Sequence, residues 1–570
     1  MNPSPTRSSR TVRPGLLALA AAAAALVTLL AGPASPAGAA SYVPVSGDGS
    51  SWSAGALDQW IADVHTDGIQ INFTADGSTT GRQNFINGQS DFAASDIPFQ
   101  TDPGDGSAPE HPQPGSYAYM PITAGGTVFM YNLKINGQRV TNLRLSGENI
   151  TKIFTGAITN WDDPALAADN PGLHLPDQTI VPVVRSDGSG TSFELSEWMI
   201  NQYPGLWNSY CSRAGRTPAC GATSFYPTVT GMIAQNGDLG VSSYVSQNFA
   251  SGSIGYVNYY YALSTKFPVV QMLNAAGYYT EPTPQNVAVS LLQDQVDTTD
   301  VNNPALYLTQ KLTGVYTDPD PRTYPLSSYG YLVLPTSVRQ SFTTAKGATL
   351  AAFAYYAMCQ GQQQSAALGY SPMPINLVQA SFAQIAKIPG ADVQSINIQG
   401  CNNPTFTPSG VNLLAQTAPY PPACDKQGST QCTSGTGGAA AVATAVSGSS
   451  TSSSGTSGRS GSATGSGSGS GSGGATGSGG TGAGSSGGSG AGTSGSGSTS
   501  SGQSCDPTTG ACSSTGGTAS IDPTAATVTL AAGTGWSTTQ TLLVLILLAL
   551  VALLLVPGLL SRRLDKDRGP

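Results

Sequence analysis

The sequence predicts an α/β fold in two lobes. Short apolar runs of strand character alternate with helical segments, the pattern of strands packed against helices. The globular stretch, residues 41–415 of a 570-residue chain, exceeds the usual size of a single-core domain. Gly-Ser turns fall where strands pass into helices.

In chain order, Ala56 to Val64 reads as a helix, and Ile69-Gln-Ile-Asn-Phe73 alternates like a strand. Val128-Phe-Met-Tyr131, Ile180-Val-Pro-Val-Val184 and Ile254-Gly-Tyr-Val257 also read as strands. Thr349 to Met358 is an apolar helix. The periodicities of two and of 3.6 residues separate the two kinds of element.

The ends carry different signals. Arg7, Arg10 and Arg13 precede an apolar run from Leu16 to Leu30 and small residues ending in Ala37-Gly-Ala-Ala40. This is the pattern of a secretory signal peptide over residues 1–40. Leu542 to Leu560 is continuously apolar apart from Pro557-Gly558, long enough to cross a hydrocarbon core of ~30 Å. Trp536 flanks it on one side, and Arg562, Arg563, Lys566 and Arg568 on the other. A transmembrane helix over 541–560 with a cytoplasmic tail over 561–570 follows from the positive-inside rule. Covalent wall attachment is a competing reading. However, Leu530-Ala-Ala-Gly-Thr-Gly535 has one residue too many for a sorting motif. Residues 416–540 read as a disordered Gly/Ser/Thr-rich tether that cannot bury a core.

Only 9% of residues are charged and the net charge is −8, a poor basis for nucleic-acid binding. Eight cysteines fit an oxidising compartment. Local pairings suggest themselves for Cys211 with Cys220, Cys359 with Cys401, Cys424 with Cys432 and Cys505 with Cys512. No cysteine cluster has zinc-ligand spacing, so neither a metal nor a cofactor is expected. His65, His111 and His174 have no evident Ser/Asp partners, so no catalytic residues are assigned and no enzyme is expected.

The segment Val183-Val-Arg-Ser-Asp-Gly-Ser-Gly-Thr-Ser-Phe193 is the richest in chemistry. Arg185 offers paired planar donors to an oxyanion. The Gly-Ser-Gly-Thr turn opens a helix whose first N–H groups attract negative charge. Two further loops share this character: Ser46-Gly-Asp-Gly-Ser-Ser-Trp-Ser-Ala54 and Ala75-Asp-Gly-Ser-Thr-Thr-Gly-Arg82. Ser50, Ser51 and Ser78 supply hydroxyls there. Asp91-Phe-Ala-Ala-Ser-Asp-Ile-Pro98 places Asp96 after a small-residue strand. Taken singly, each loop is equally well read as an ordinary helix cap.

Together with Leu145-to-Asp163 and Gly252-Ser-Ile-Gly-Tyr-Val-Asn-Tyr-Tyr-Tyr-Ala262, these stretches resemble, in order, the phosphate-binding subunit of the phosphate-specific ABC transporter. The resemblance covers about residues 43–400. It implies a two-lobed type II periplasmic-binding-protein fold with a hinge cleft. One lobe would be about 41–125 plus 326–415, the other 126–325, with hinge strands near Thr127 and Tyr324. It implies inorganic phosphate as ligand, held by Ser51, Trp52, Ser78, Asp96, Arg185, Ser189, Gly190 and Thr191. Asp187 would orient Arg185. Ser51-Trp52 stands where the family typically has Thr-Phe, which keeps the hydroxyl. Asp96 would accept the hydrogen that phosphate retains and sulfate lacks.

The signal peptide and the C-terminal span place the chain on the extracytoplasmic face of a membrane. Its Ala- and Gly-rich composition suggests a Gram-positive-type bacterium. A monomer is expected, and the resemblance implies an ABC permease as partner. The tether and C-terminal span are unusual beside that family's forms. A membrane-tethered sensor, scavenger or adhesion protein on the same fold is therefore the alternative.

Overall fold

The computed structural model describes residues 42–216, 220–393, 401–407 and 410–446. The chain divides into two compact units, 1–470 and 471–570, and the second lies wholly outside the described residues. So do the expected signal peptide, the transmembrane helix, the cytoplasmic tail, most of the tether, and Cys505 and Cys512. No helix among the described residues is long and apolar enough to cross a membrane.

One eight-stranded sheet runs through both lobes. Its order is Ile71–Thr74, Val45–Gly49, Phe92–Ser95, Ser327–Pro335, Tyr117–Asn132, Ser253–Asn258, Val181–Arg185, Ile233–Gln235. The outer pairs at each end are parallel, and the strands around Tyr117–Asn132 are antiparallel. Parallel strands leave their carboxyl ends open to a ligand. Here Gly49, Ser95 and Arg185 all end strands at that edge.

The strand Tyr117–Asn132 joins the halves. Tyr117 to Gly126 pairs with Ser327–Pro335, and Thr127 to Asn132 pairs with Ser253–Asn258. The changeover falls at Gly125-Gly126-Thr127. A Cβ at Gly126 would lie 2.2 Å from Pro282 Cβ, so only glycine fits there. The sequence reading saw only Val128 to Tyr131 of this 16-residue strand, because Pro121 and the two glycines mask its apolar run.

Two cores flank the changeover. One gathers Trp52, Trp60, Phe92, Tyr119, Tyr331, Leu350 and Val378; the other gathers Phe129, Phe154, Trp161, Trp198, Trp207, Tyr256 and Val257. The lobe boundary is not clean between Phe267 and Thr323. Val287 and Leu308 pack into the first core, whereas Leu312, Val315 and Tyr316 pack into the second. This excursion packs against both lobes.

Of the tether expected over residues 416–540, residues 420–446 are instead folded onto the second lobe, and residues 447–540 lie outside the described residues. The helix Leu413–Thr417 is followed by Ala418, which with Ala415 packs on Ala288 and Val289. Beyond it, the fully buried Arg144 donates to Asp425 Oδ1 at 2.7 Å, to Ser429 O at 3.2 Å and to Cys424 O. Asn142 donates to Cys432 O at 2.7 Å, and Thr436 Oγ1 to Thr141 O at 2.9 Å. A Cβ at Gly438 would sit 2.2 Å from Ala262 O, so glycine permits the close approach. Tether-like composition concealed this, since small polar residues here pair with backbone instead of burying apolar area.

Disulfides join Cys211 to Cys220, Cys359 to Cys401 and Cys424 to Cys432. The last closes the loop that meets Arg144. Removing one member of a buried ion pair costs about 3–5 kcal/mol. Asp425→Ala is thus expected to lower unfolding free energy by about 3 kcal/mol in urea titration. An unchanged midpoint would mean that the segment does not contribute to the fold.

Candidate functional site

Four helix starts converge where the two lobes face each other: Ala54–His65, Ser78–Ile86, Gly190–Gln202 and Gly237–Val245. Each follows a strand of the shared sheet, through the Gly-Ser turns in the first three cases. The first-turn N–H groups of a helix lack carbonyl partners within it, so four such starts direct N–H donors toward the seam between the lobes.

The cleft is closed. Thr79 N donates to Gly188 O at 3.0 Å across it. A Cβ at Gly190 would meet Asp96 Oδ2 at 2.8 Å and Ser78 Oγ at 2.9 Å, so the glycine lets one lobe seat against the other.

Asp96 is buried at the seam. Its oxygens accept from Ser50 Oγ, from Ser78 Oγ at 3.3 Å and, from the opposite lobe, from Thr191 Oγ1 at 3.4 Å. Burial pushes its carboxyl up to about 6, with Asp238 adding to the rise and Ser50, Arg185 and Ser78 opposing it. Near neutral pH this is a carboxylate held at some cost, ready to accept another hydrogen.

Arg185 ends its strand in full burial. Its Nε donates to Asp187 Oδ1 at 2.8 Å and its Nη2 to Asp187 Oδ2, while Nη1 reaches Asp238 Oδ2. Burial disfavours its charge, but Asp238 and Asp187 outweigh that and hold the guanidinium charged. Asp187 is likewise drawn below the usual carboxylate range by Arg185, against burial. Its Oδ1 also accepts Gly237 N–H at 2.9 Å. Of five guanidinium N–H groups, three meet carboxylates. One on each Nη is left over, a pair suited to two oxygens of a tetrahedral anion.

The sequence-derived residues therefore meet at one place, with differences in what each offers. Ser189 caps its helix, its Oγ accepting Ser192 N–H at 3.1 Å. Gly190 and Thr191 supply the first-turn N–H groups of that helix. Ser51 turns its hydroxyl to Asp238 Oδ2 at 2.6 Å. The Trp52 ring lies in the first core, its indole N–H on Thr127 Oγ1 at 3.1 Å.

Three participants went unassigned. Ser50, singled out only as a hydroxyl, bonds Asp96. Glu194 is buried, accepts from Ser328 Oγ at 2.8 Å and from Gln310 Nε2 at 3.1 Å, and is pushed well above the usual range by burial and then Asp96. Asp238 binds Arg185 and Ser51 together. Its sequence signal was present: Asn236-Gly-Asp238 opens a helix after a strand, the pattern used to find the other loops.

A family model described as a PBP superfamily domain matches residues 33–360. A phosphate-binding protein PstS of Xylella fastidiosa (strain Temecula1) is 32% identical over 337 residues, covering 59% of this chain and 83% of that protein. PstS of Pasteurella multocida (strain Pm70) is 29% identical over 347 residues, covering 60% and 89%. Among solved structures, a phosphate binding protein from Stenotrophomonas maltophilia is 19% identical with a TM-score of 0.45, covering 63% of this chain and 98% of its own. The extent of the family match and the identity over most of a relative's length agree, and the chain belongs to the PBP superfamily and, within it, to the PstS-type family.

Proposed function

We propose that this protein binds one inorganic phosphate outside the cytoplasm, in the cleft between its lobes, and passes it to an ABC importer in the membrane. The observation that carries the reading is the pairing of opposite groups at one buried point. The two spare N–H groups of Arg185 and the helix starts bind anion oxygens. The carboxylate of Asp96 accepts a hydrogen from the same anion. Phosphate keeps a hydrogen near neutral pH, whereas sulfate does not. The phosphate-binding relatives support the same ligand.

The ligand set is Ser51, Ser78, Asp96, Arg185, Ser189, Gly190 and Thr191, with Trp52 giving its backbone N–H. Asp187 orients Arg185. Residues 1–40 direct export, and the span over 541–560 holds the protein, as a monomer, at the outer face of a Gram-positive-type membrane. Binding without turnover is the expected behaviour. Calorimetric titration of the protein, freed of bound anion, should give one-to-one phosphate binding; folded protein that takes up no phosphate would refute the reading.

The long tether and C-terminal apolar run favour a second reading, a tethered phosphate sensor, scavenger or adhesion protein. Uptake of labelled phosphate by cells lacking this gene separates the two. Reduced uptake supports delivery to a permease, and undiminished uptake supports sensing, scavenging or adhesion.

A further inference from the structure

The lobes meet a second time away from the anion site. Nearer the surface, where Asp102, Gly104 and Gly106 are exposed, the first-lobe loop 102–107 faces the second-lobe segment 221–225. Gly221 N donates to Gly104 O at 3.1 Å. Thr223 Oγ1 donates to Asp105 Oδ2 at 2.5 Å, and Arg216 Nη1 stands 3.9 Å from the same oxygen. The Asp105 side chain is only 4% exposed and Thr223 is fully buried, so losing this bond leaves a carboxylate short of a donor. A cavity of about 320 Å³ is lined by Thr79 from the inner seam and by Asp105 and Phe225 from the outer contact. The two contacts are therefore distinct.

Each half of the outer contact is tied to a helix whose start faces the anion. In the second lobe, Ser189 N donates to Ser224 O at 2.9 Å and Thr223 N to Ser196 Oγ at 2.8 Å. Residues 221–225 thus ride on the helix Gly190–Gln202. Arg216 Nη2 holds Phe225 O at 2.8 Å, and the Cys211–Cys220 disulfide fixes the chain just before Gly221. In the first lobe, Glu110 N donates to Gln100 O at 2.8 Å, and Glu110 pairs with the buried Arg82 at 2.9 Å. This pins the base of loop 102–107 to the helix Ser78–Ile86. Hinge opening moves the lobes as bodies, so it parts Asp105 from Thr223 while each half stays assembled. The contact belongs to the closed state, and its free energy favours closure whatever anion lies inside.

We propose that Asp105 and residues 221–225 form a clasp that holds the cleft shut and slows escape of the bound anion. This rests on the reading of the cleft as a phosphate site, yet the clasp includes no residue of the ligand set. Closure follows capture, so the clasp acts on release more than on encounter.

The test is the exchange of labelled phosphate on the full-length protein, as wild type, Asp105→Ala, Gly221→Ala and the double variant. Asp105→Ala removes the carboxylate that Thr223 meets. A Cβ at Gly221 would lie 2.5 Å from Gly104 C and O, so alanine there pries the same contact apart from the other side. Each single variant should release phosphate about tenfold faster, with association within about twofold of the wild type. The double variant should release about as fast as the quicker single one, because both changes break one contact. The phosphate-to-arsenate affinity ratio should not move, since the clasp touches neither anion. Unchanged release in either folded variant overturns the proposal, as do slowed association, a shifted ratio or single effects that multiply in the double variant. Gly221→Ala decides alone if Asp105→Ala does not fold. A wild type that binds no phosphate overturns the cleft reading itself, an outcome distinct from phosphate binding whose release the variants leave unchanged.

Discussion

Arg185→Ala is expected to weaken phosphate binding by about a thousandfold or more. A hydrogen bond to a charged group is worth about 1.5–3 kcal/mol, and Arg185 has two N–H groups to give. Two such bonds amount to about 3–6 kcal/mol, or two to four powers of ten at 1.4 kcal/mol each. The loss is compounded because Asp187 and Asp238 remain, both buried and without their cation. Uncompensated carboxylates repel the ligand and cost about 3–5 kcal/mol of stability. Chemical denaturation should therefore show a destabilised fold alongside the binding loss. Arg185→Lys restores charge but not the fork, so stability should return further than affinity does. Affinity retained by a folded Arg185→Ala protein would place the site elsewhere.

Asp96→Asn should reduce discrimination of phosphate from sulfate by about a hundredfold. Sulfate brings no hydrogen, so beside it the Asp96 carboxylate is a buried acceptor left unmet, at a cost on the order of a few kcal/mol. An amide can donate instead, and the penalty disappears. The pH dependence follows the same logic. Asp96 is raised from 3.8 to about 6, so the closed, ligand-free protein holds that proton more tightly than the unfolded chain does. Its contribution favours the closed fold at low pH and is lost as pH rises from about 4 through about 6. Above that, the charge needs a donor, which phosphate supplies. Below about 6 the protonated carboxyl can itself donate, to sulfate as well. Selectivity of the wild type should consequently decline as pH falls through about 6, while the reduced selectivity of Asp96→Asn should show no such decline. Paired titrations at pH 5 and pH 8 decide the matter, and a variant as selective as the wild type removes Asp96 from this role.

The sequence was most legible where local chemistry and local geometry coincide. The loops at Ser46–Ala54, Ala75–Arg82 and Val183–Phe193 could be read as anion-facing because each carries hydroxyls and glycines at a helix start. Asp96 and Arg185 could be paired through the family resemblance, though they lie far apart in the chain. What escaped depends on contacts that no local pattern encodes. Asp238 matters because folding brings its helix start against Arg185 and Ser51. Glu194 looks like a surface residue of a helix, and it is buried with its carboxyl accepting from Ser328 and Gln310, residues far away in the chain. Residues 420–446 read as tether by composition, yet Arg144, a lone charge in an apolar stretch, draws Asp425 and two carbonyls onto itself. That arginine was the available clue, since a buried guanidinium demands partners. The practical consequence is that a soluble fragment should run to residue 446, because one ending at 415 would strand Arg144.

The most direct test of the central claim is a crystal structure of residues 42–446 grown with phosphate. The account predicts one anion between the lobes, with two oxygens on the Arg185 Nη atoms, others on the N–H groups of Gly190 and Thr191, and one within hydrogen-bond reach of Asp96. Phosphate bound away from Arg185, or a closed cleft with no anion in it at saturating phosphate, would contradict the account.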